Sequence, residues 1–301
     1  MNLLSFLRPS RTPRLDPSRT RQARQAFDAD GKYDAWQAFC QSGAAAPAGG
    51  DGGRLDADGF EIVTLLSPEE AKSAKEACLA NAKKMEAAKA EIDYADVLSF
   101  ENTEFLRGVV EKMLSPEMSQ KVKAVFGSEF YVHSLVVNRT MPAKASKRSF
   151  LWHCDRGPLN FLKINMFLDA TEDHGGTTEF IDLGQSAAFE RVGYTFGPNK
   201  ERVPDLKRLG AQIGVAPQVE RPELAAGQAF IFFPSRVLHR GFLPSRGVRH
   251  MMSLVLLPSP VHWSLAWDTT VRSGFHDRSM ATFPESAENL FDVLELPRRA
   301  L

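Results

Sequence analysis

A chain of 301 residues with 37 basic and 37 acidic side chains has zero formal net charge, and 43% hydrophobic with 25% charged residues is ordinary composition for a folded protein. Balanced charge removes the long-range field a nucleic-acid binder carries, so nucleic acid is not an expected partner. Runs such as Phe230-Ile231-Phe232-Phe233, stopped by Pro234, fall short of the roughly 18 apolar residues of a span, so no integral membrane segment is expected.

The N-terminus begins apolar but has no preceding basic region, and Arg8, Arg11 and Arg14 follow at once, an order unlike a cleaved signal peptide. Residues 1–54 read as a basic, partly disordered arm, with Arg19, Arg21 and Arg24 continuing the charge, followed by a Gly/Ala-rich linker. Three cysteines, Cys40, Cys78 and Cys154, are odd in number and widely spaced. They argue against a disulfide framework and for a reducing, cytoplasmic location.

Phe60-Glu61-Ile62-Val63-Thr64-Leu65 reads as a strand. Ser67-Pro68-Glu69-Glu70 then combines an N-cap, a first-turn proline and a capping-box glutamate, so a helix starts there and carries Ala71, Ala74, Cys78 and Met85 on one face. A second helix is expected from Ser115-Pro116 to Gly127. From Glu129 the pattern changes to short β-branched and aromatic runs, 130–137, 161–168, 178–183, 229–233 and 248–257, punctuated by Gly and Pro. That is the signature of a sandwich or barrel. The charged stretch 187–221 reads as a solvated loop, or more sharply as a cover recognising an anionic group. No phosphate-cradling or nucleophile-elbow motif occurs.

The chemistry centres on His153-Cys154-Asp155. On an extended segment, residues two apart project to one side, so His153 and Asp155 can share a metal while Cys154 faces away. His239 follows a later strand. Two imidazoles and one carboxylate on one face of an iron leave three coordination positions open, the arrangement of non-haem Fe(II) oxygenases. Arg249, at the start of the next strand, can grip a distal carboxylate bidentately while the other end of the same molecule chelates the metal. Asn138 precedes the H-x-D segment. Lys163 and Asn165 alternate with apolar Leu162, Ile164 and Met166 after it. Strand polarity leaves open whether Asn138, Lys163 and Asn165 line a pocket or face solvent; Asn138 and Lys163 are carried as candidate cosubstrate-binding residues. His133, His174 and His250 read as surface or satisfied core histidines. Trp152 reads as packing, and His262, Trp263 and Trp267 as packing across a barrel mouth.

Taken together, from Asp58-Gly59-Phe60 through the H-x-D, the distal His and the Arg, the chain resembles the Fe(II)/2-oxoglutarate-dependent dioxygenase superfamily, and within it the phytanoyl-CoA dioxygenase-like branch. Gly175-Gly176-Thr177-Thr178 falls where members carry a glycine turn. The family's Gly-Ser-His segment is replaced here by Asp182-Leu183-Gly184-Gln185-Ser186. The resemblance implies an α+β, mainly β fold: a double-stranded β-helix (jelly-roll, cupin-like) core with supporting N-terminal helices. Its domain would span 55–262, with helical support over 55–128 and the jelly roll over 129–262, followed by a C-terminal extension at 263–301. It implies that His153, Asp155 and His239 hold Fe(II), that Arg249 fixes 2-oxoglutarate, and that with O2 the enzyme hydroxylates a C–H bond of a small-molecule or lipid-like substrate, releasing succinate and CO2. Two alternatives stand beside it: a prolyl-hydroxylase-like protein hydroxylase, whose branch uses lysine for the distal carboxylate, and a non-catalytic jelly-roll binding protein.

Overall fold

The computed structural model describes residues 13, 15–27, 31–42, 53–82, 95–98, 100 and 104–271; Arg8, Arg11, Arg14, the linker at 43–52, Met85 and the extension beyond 271 lie outside them. In chain order, helices α1 (Pro17–Phe27), α2 (Lys32–Ser42) and α3 (Gly53–Asp58) precede strand β1 (Phe60–Thr64) and helix α4 (Pro68–Asn81). Strand β2 (Ala95–Val97), helices α5 (Glu104–Met113) and α6 (Pro116–Phe126), and strands β3 (Glu129–Thr140) and β4 (Leu162–Phe167) follow. Then come α7 (Thr171–His174), β5 (Thr177–Phe180), α8 (Leu183–Arg191), α9 (Lys207–Ile213), β6 (Gln228–Phe232), β7 (His239–Phe242), β8 (Arg249–Ser259) and α10 (Trp263–Val271). No helix among the described residues is long and apolar enough to cross a membrane.

The helix starts follow the local chemistry. Ser67 accepts from the Glu70 amide while the Glu70 carboxylate accepts from the Ser67 amide, closing the capping box of α4. Ser115 caps α6, and Gly127, at φ 67°, ends it in the left-handed conformation that glycine adopts without a Cβ penalty.

Six strands form one antiparallel sheet in the order β1-β6-β4-β8-β3-β2, and β5 pairs with β7 in a second, smaller sheet. Single bridges widen the smaller sheet, His153 beside His239 and Glu220 beside Phe180. One face of the large sheet presents Leu135, Val137, Ile164, Met166, Ile231, Met252, Leu254 and Leu256 to a core completed by α4, α5, α6 and α10. Each such side chain contributes about 1.5–3 kcal/mol by leaving water, which makes this layer the main source of stability. The opposite face looks toward the small sheet. Phe60, Phe167, Phe180, Phe230, Phe232 and Val237 pack between the two.

Register on the inner face depends on one irregularity. Phe130 and Val132 point to the helical core, but a bulge between Val132 and Ser134 leaves His133 unmatched opposite β8. Beyond it the parity is reversed: Leu135 and Val137 face the helices, and Ser134, Val136 and Asn138 turn to the inner face.

Three expectations are corrected. Residues 17–27 and 32–42 of the presumed arm are docked helices. Arg24 of α1 donates to Glu190 and to the Ser235 carbonyl, and Thr20 meets Thr195. Tyr33, Trp36 and Cys40 of α2 pack on Tyr131, Phe161, Leu257 and Ala266, with the Trp36 indole donating to the Pro258 carbonyl. The stretch 187–221 is not a solvated loop, since Phe189, Tyr194, Phe196, Val203, Leu206 and Leu209 form a cluster with Trp152, Cys154 and Leu238. Apolar residues scattered among its charges are enough to close that layer. Finally, Trp263 and Trp267 join the helical core of the large sheet instead of spanning a barrel mouth.

Candidate functional site

A 3-10 turn at Arg148–Phe150 delivers the chain into the H-x-D segment, which runs extended beside the small sheet. The His153 amide donates to the His239 carbonyl at 3.1 Å and the His239 amide returns the bond to His153 at 3.0 Å. This two-bond exchange puts the residues directly opposite one another, so their imidazoles project together with ring centroids 4.6 Å apart. Two residues on, the Asp155 amide donates to the Pro234 carbonyl at 2.7 Å, which ties the carboxylate to the turn between β6 and β7.

The three side chains converge. Asp155 Oδ1 lies 3.3 Å from His153 Nε2 and 3.8 Å from His239 Nε2, and one ligand atom from each residue falls within 4.8 Å of the others. Each imidazole donates its Nδ1 proton to the carbonyl two residues before it, His153 to Leu151 at 2.7 Å and His239 to Val237 at 2.9 Å. That fixes the tautomer and leaves both Nε2 lone pairs directed at the shared point, as in metal-binding histidines whose other ring nitrogen is held by a hydrogen bond. Burial, reinforced by the neighbouring His153, pushes the pKa of His239 down to about 3. Burial pushes the Asp155 carboxyl upward, but the surroundings that favour its ionised form, the Lys163 ammonium first among them, outweigh it and hold the group well below its usual range. The donor set is therefore a carboxylate and two nitrogens presenting lone pairs, which suits a divalent transition metal.

These residues open into a cavity of about 280 Å³ between the two sheets. Its floor is the inner face of the large sheet: Ser134, Val136 and Asn138 of β3, Lys163 and Asn165 of β4, and Arg249, Met251, Ser253 and Val255 of β8. Phe150, Thr178 and Gly241 complete it from the other side, and a Cβ at Gly241 would come within 2.8 Å of the Phe150 ring.

Arg249 closes the end of this cavity where β3 finishes and β8 begins. Its guanidinium donates to the carbonyls of Thr177 at 3.1 Å and Phe242 at 3.3 Å and to the Thr140 hydroxyl at 3.2 Å, all of them neutral. Its Nε is buried without a hydrogen-bond partner. Burial alone lowers the pKa of the group to about 10, and among the described residues no carboxylate pairs with it. A buried cation lacking a counter-ion, facing a cavity, is a receptor for an anion.

Asn138 and Lys163 both line the cavity, as does Asn165, whose Oδ1 accepts from Ser253. Lys163 Nζ contacts Asp155 Oδ2 at 2.8 Å. His174 and His250 stand apart from the triad. His174 Nδ1 accepts from the Gly176 amide, and His250 joins Asp169, which also binds Lys75. Phe150, Thr178 and the β8 series Met251, Ser253 and Val255 escaped sequence reasoning. The alternation starting at Arg249 was enough to find the last three; nothing marks Phe150. The segment Asp182-Leu183-Gly184-Gln185-Ser186 is the first turn of α8, capped by Asp182.

The sequence matches no protein-family profile and no curated protein. Comparison with solved structures does give matches. EctD from S. alaskensis, solved with 2-oxoglutarate and 5-hydroxyectoine, superposes with a TM-score of 0.50 at 18% identity, over 83% of this chain and 86% of that one. The chain has a double-stranded β-helix fold. The epimerase SnoN, in complex with Fe3+, α-ketoglutarate and nogalamycin RO, is also similar, with a TM-score of 0.48 at 14% identity over 68% of this chain and 81% of that one. In the double-stranded β-helix of the present chain, the convergent triad sits on the smaller sheet and the buried arginine at one end of the larger.

Acid should weaken this arrangement. His239 is lowered to about 3 by burial and His174 to about 4 by burial and the nearby Arg249, against about 6.5 when unfolded. Between those values the unfolded chain binds protons the fold refuses, so stability falls as pH drops. On going from pH 6.5 to 4, each histidine is expected to cost the metal-free protein on the order of 1 kcal/mol per pH unit, readable by urea unfolding at several pH values. A flat profile over that interval would show that neither histidine is held neutral.

Proposed function

We propose that the chain is an Fe(II)- and 2-oxoglutarate-dependent oxygenase that hydroxylates a C–H bond of a small molecule. The observation that carries this reading is the pairing, within one cavity, of a His153–Asp155–His239 donor set with a buried, anion-deficient Arg249. The donors fit Fe(II), and the guanidinium, bonded only to neutral groups among the described residues, fits the distal carboxylate of the cosubstrate. When bound, the metal and cosubstrate would supply the oxidising chemistry, coupling the conversion of 2-oxoglutarate and O2 to succinate and CO2 with oxygenation of the substrate.

The chain's own contribution is binding, orientation and exclusion of water. His153 and His239 offer Nε2 with Nδ1 pinned to carbonyls, so neither ring can turn its donor away. Asp155 supplies the negative charge, and three protein ligands leave positions for the cosubstrate and O2. Arg249 orients the cosubstrate from its far end, with Asn138, Asn165 and Ser253 along the intervening floor. A carboxylate at position 155, where a halogenase would carry a small residue, favours hydroxylation. An arginine at 249 favours the phytanoyl-CoA dioxygenase-like branch over the prolyl-hydroxylase branch.

A cavity of about 280 Å³ suits a small molecule better than a protein side chain. Its mixed lining, Ser134, Asn138, Asn165 and Ser253 beside Val136 and Val255, favours a polar metabolite over a lipid tail. Anaerobic addition of Fe(II) and 2-oxoglutarate is expected to give a weak visible charge-transfer band, and admission of O2 to yield succinate. Absence of both would leave the jelly-roll binding protein as the better reading.

A further inference from the structure

We infer that Lys163 is a positioning residue for the metal centre: by holding Oδ2 of Asp155 it restricts that carboxylate to metal ligation through Oδ1 alone. The inference rests on the metal centre proposed above and concerns the division of labour within it.

The two oxygens of Asp155 already have different surroundings. Oδ1 faces both imidazoles, at 3.3 and 3.8 Å from their Nε2 atoms. Oδ2 is turned the other way and takes a 2.8 Å charge-assisted bond from Lys163 Nζ. Both side chains are about three-quarters buried, at 24% and 26% exposure, so water competes weakly for this bond. Among the described residues, Asp155 is the carboxylate that Lys163 pairs with. Its cross-strand neighbours on β8 and β6 are Val255 and Phe232.

The register also argues against a shared grip on the distal carboxylate of the cosubstrate. Lys163 lies opposite Val255, whereas Arg249 lies opposite Thr140, six residues back along β8. At about 3.3 Å per residue the two backbone positions are roughly 20 Å apart, so the cations serve opposite ends of the cavity. The arginine faces the anion-deficient end and the lysine the triad.

The consequence concerns coordination number. A carboxylate free to rotate can offer a metal both oxygens and fill a position the cosubstrate or a diatomic gas needs. With Oδ2 engaged by an ammonium, Asp155 supplies one oxygen and the third open position survives. The cost is affinity, because a fixed positive charge beside the site repels the metal.

The test uses Lys163→Met, which keeps length and apolar contacts, and Lys163→Arg, which keeps charge and donor. Thermal melting of the metal-free proteins checks that both fold. Titrated with Co(II) alone, Lys163→Met is expected to bind at least ~10-fold more tightly than wild type, the effect of deleting one unit charge even at the dielectric of water, and Lys163→Arg to bind as wild type does. Nitric oxide added anaerobically to the Fe(II)–2-oxoglutarate complex is expected to give a strong S = 3/2 resonance in wild type and Lys163→Arg and a weakened one in Lys163→Met. Unchanged or weaker Co(II) binding in a folded Lys163→Met protein, or an undiminished nitric oxide signal, would overturn the assignment. Failure of the wild type to bind Co(II) or Fe(II) at all would instead remove the metal centre itself.

Discussion

Asp155→Ala is expected to abolish 2-oxoglutarate-dependent succinate formation and to weaken divalent-metal binding by more than about 100-fold. Loss of a hydrogen bond to a metal ligand alone costs about 10–100-fold, so loss of the ligand must cost more. The charge arrangement sharpens the effect. His239 is held neutral by burial, so Asp155 is the negative charge within the triad, and it also neutralises Lys163. Without it, an incoming metal meets two imidazoles and an unpaired ammonium. Asp155→Asn should fare little better despite its shape, because the missing quantity is charge. Isothermal titration with Co(II) measures the loss, and near-wild-type melting of the metal-free variant separates it from unfolding. A variant that folds and retains wild-type affinity would show that the three residues converge without forming a metal site. Asp155→Ala combined with Lys163→Met should recover part of the affinity, since the repelling charge is gone as well.

The triad was legible because its geometry is nearly local. H-x-D on extended chain needs only the two-residue repeat of a strand, and His239 needs only to lie on the neighbouring segment. The double main-chain exchange between His153 and His239 supplies that neighbour. It could not be read in advance, because β7 is four residues long and contains Arg240 and Gly241, a composition that does not look like a strand. The helix starts at Ser67 and Ser115 were legible for a similar reason, since capping is decided within four residues.

What could not be read depends on distant chain. Asn138 is the clearest case. Strict alternation from Phe130 would place it with the helical core, and only the bulge at His133 turns it into the cavity. Lys163 lies on a strand without such an irregularity, and its apolar neighbours Leu162, Ile164 and Met166 set it on the opposite face, yet that this face lines a cavity, and that its target is Asp155, are tertiary facts. The docked helices α1 and α2 illustrate the same limit. Their charges suggested an arm, but Trp36 and Cys40 are buried by partners more than ninety residues away in sequence, and Arg24 reaches the carbonyl of Ser235, beside the turn that anchors Asp155. Composition records the arginines and says nothing about what they meet.

Arg249→Met is expected to remove 2-oxoglutarate binding while leaving the cosubstrate-free protein as stable as wild type, or slightly more so. In the wild type the guanidinium makes three hydrogen bonds to neutral groups, each worth about 1 kcal/mol net. Against them stands the burial of a cation whose pKa falls from 12.5 to about 10, a penalty of about 3 kcal/mol. The two nearly cancel. The sign follows from linkage: a base whose pKa is lower in the folded state disfavours folding wherever it is charged, so the penalty is present at all pH values below about 10 and is relieved only as pH rises from there toward 12.5. A dicarboxylate that pairs with Arg249 converts this penalty into binding energy, and charge-assisted bonds of about 1.5–3 kcal/mol each predict at least a 100-fold loss of affinity when the arginine is removed. Melting curves with and without 2-oxoglutarate in the presence of Co(II) test both halves together: a rise for wild type, none for Arg249→Met, and similar baselines without the cosubstrate. A variant that still gains stability from 2-oxoglutarate would move the carboxylate site elsewhere in the cavity, and one that melts far below wild type without it would show that Arg249 holds the two sheets together instead of waiting for an anion.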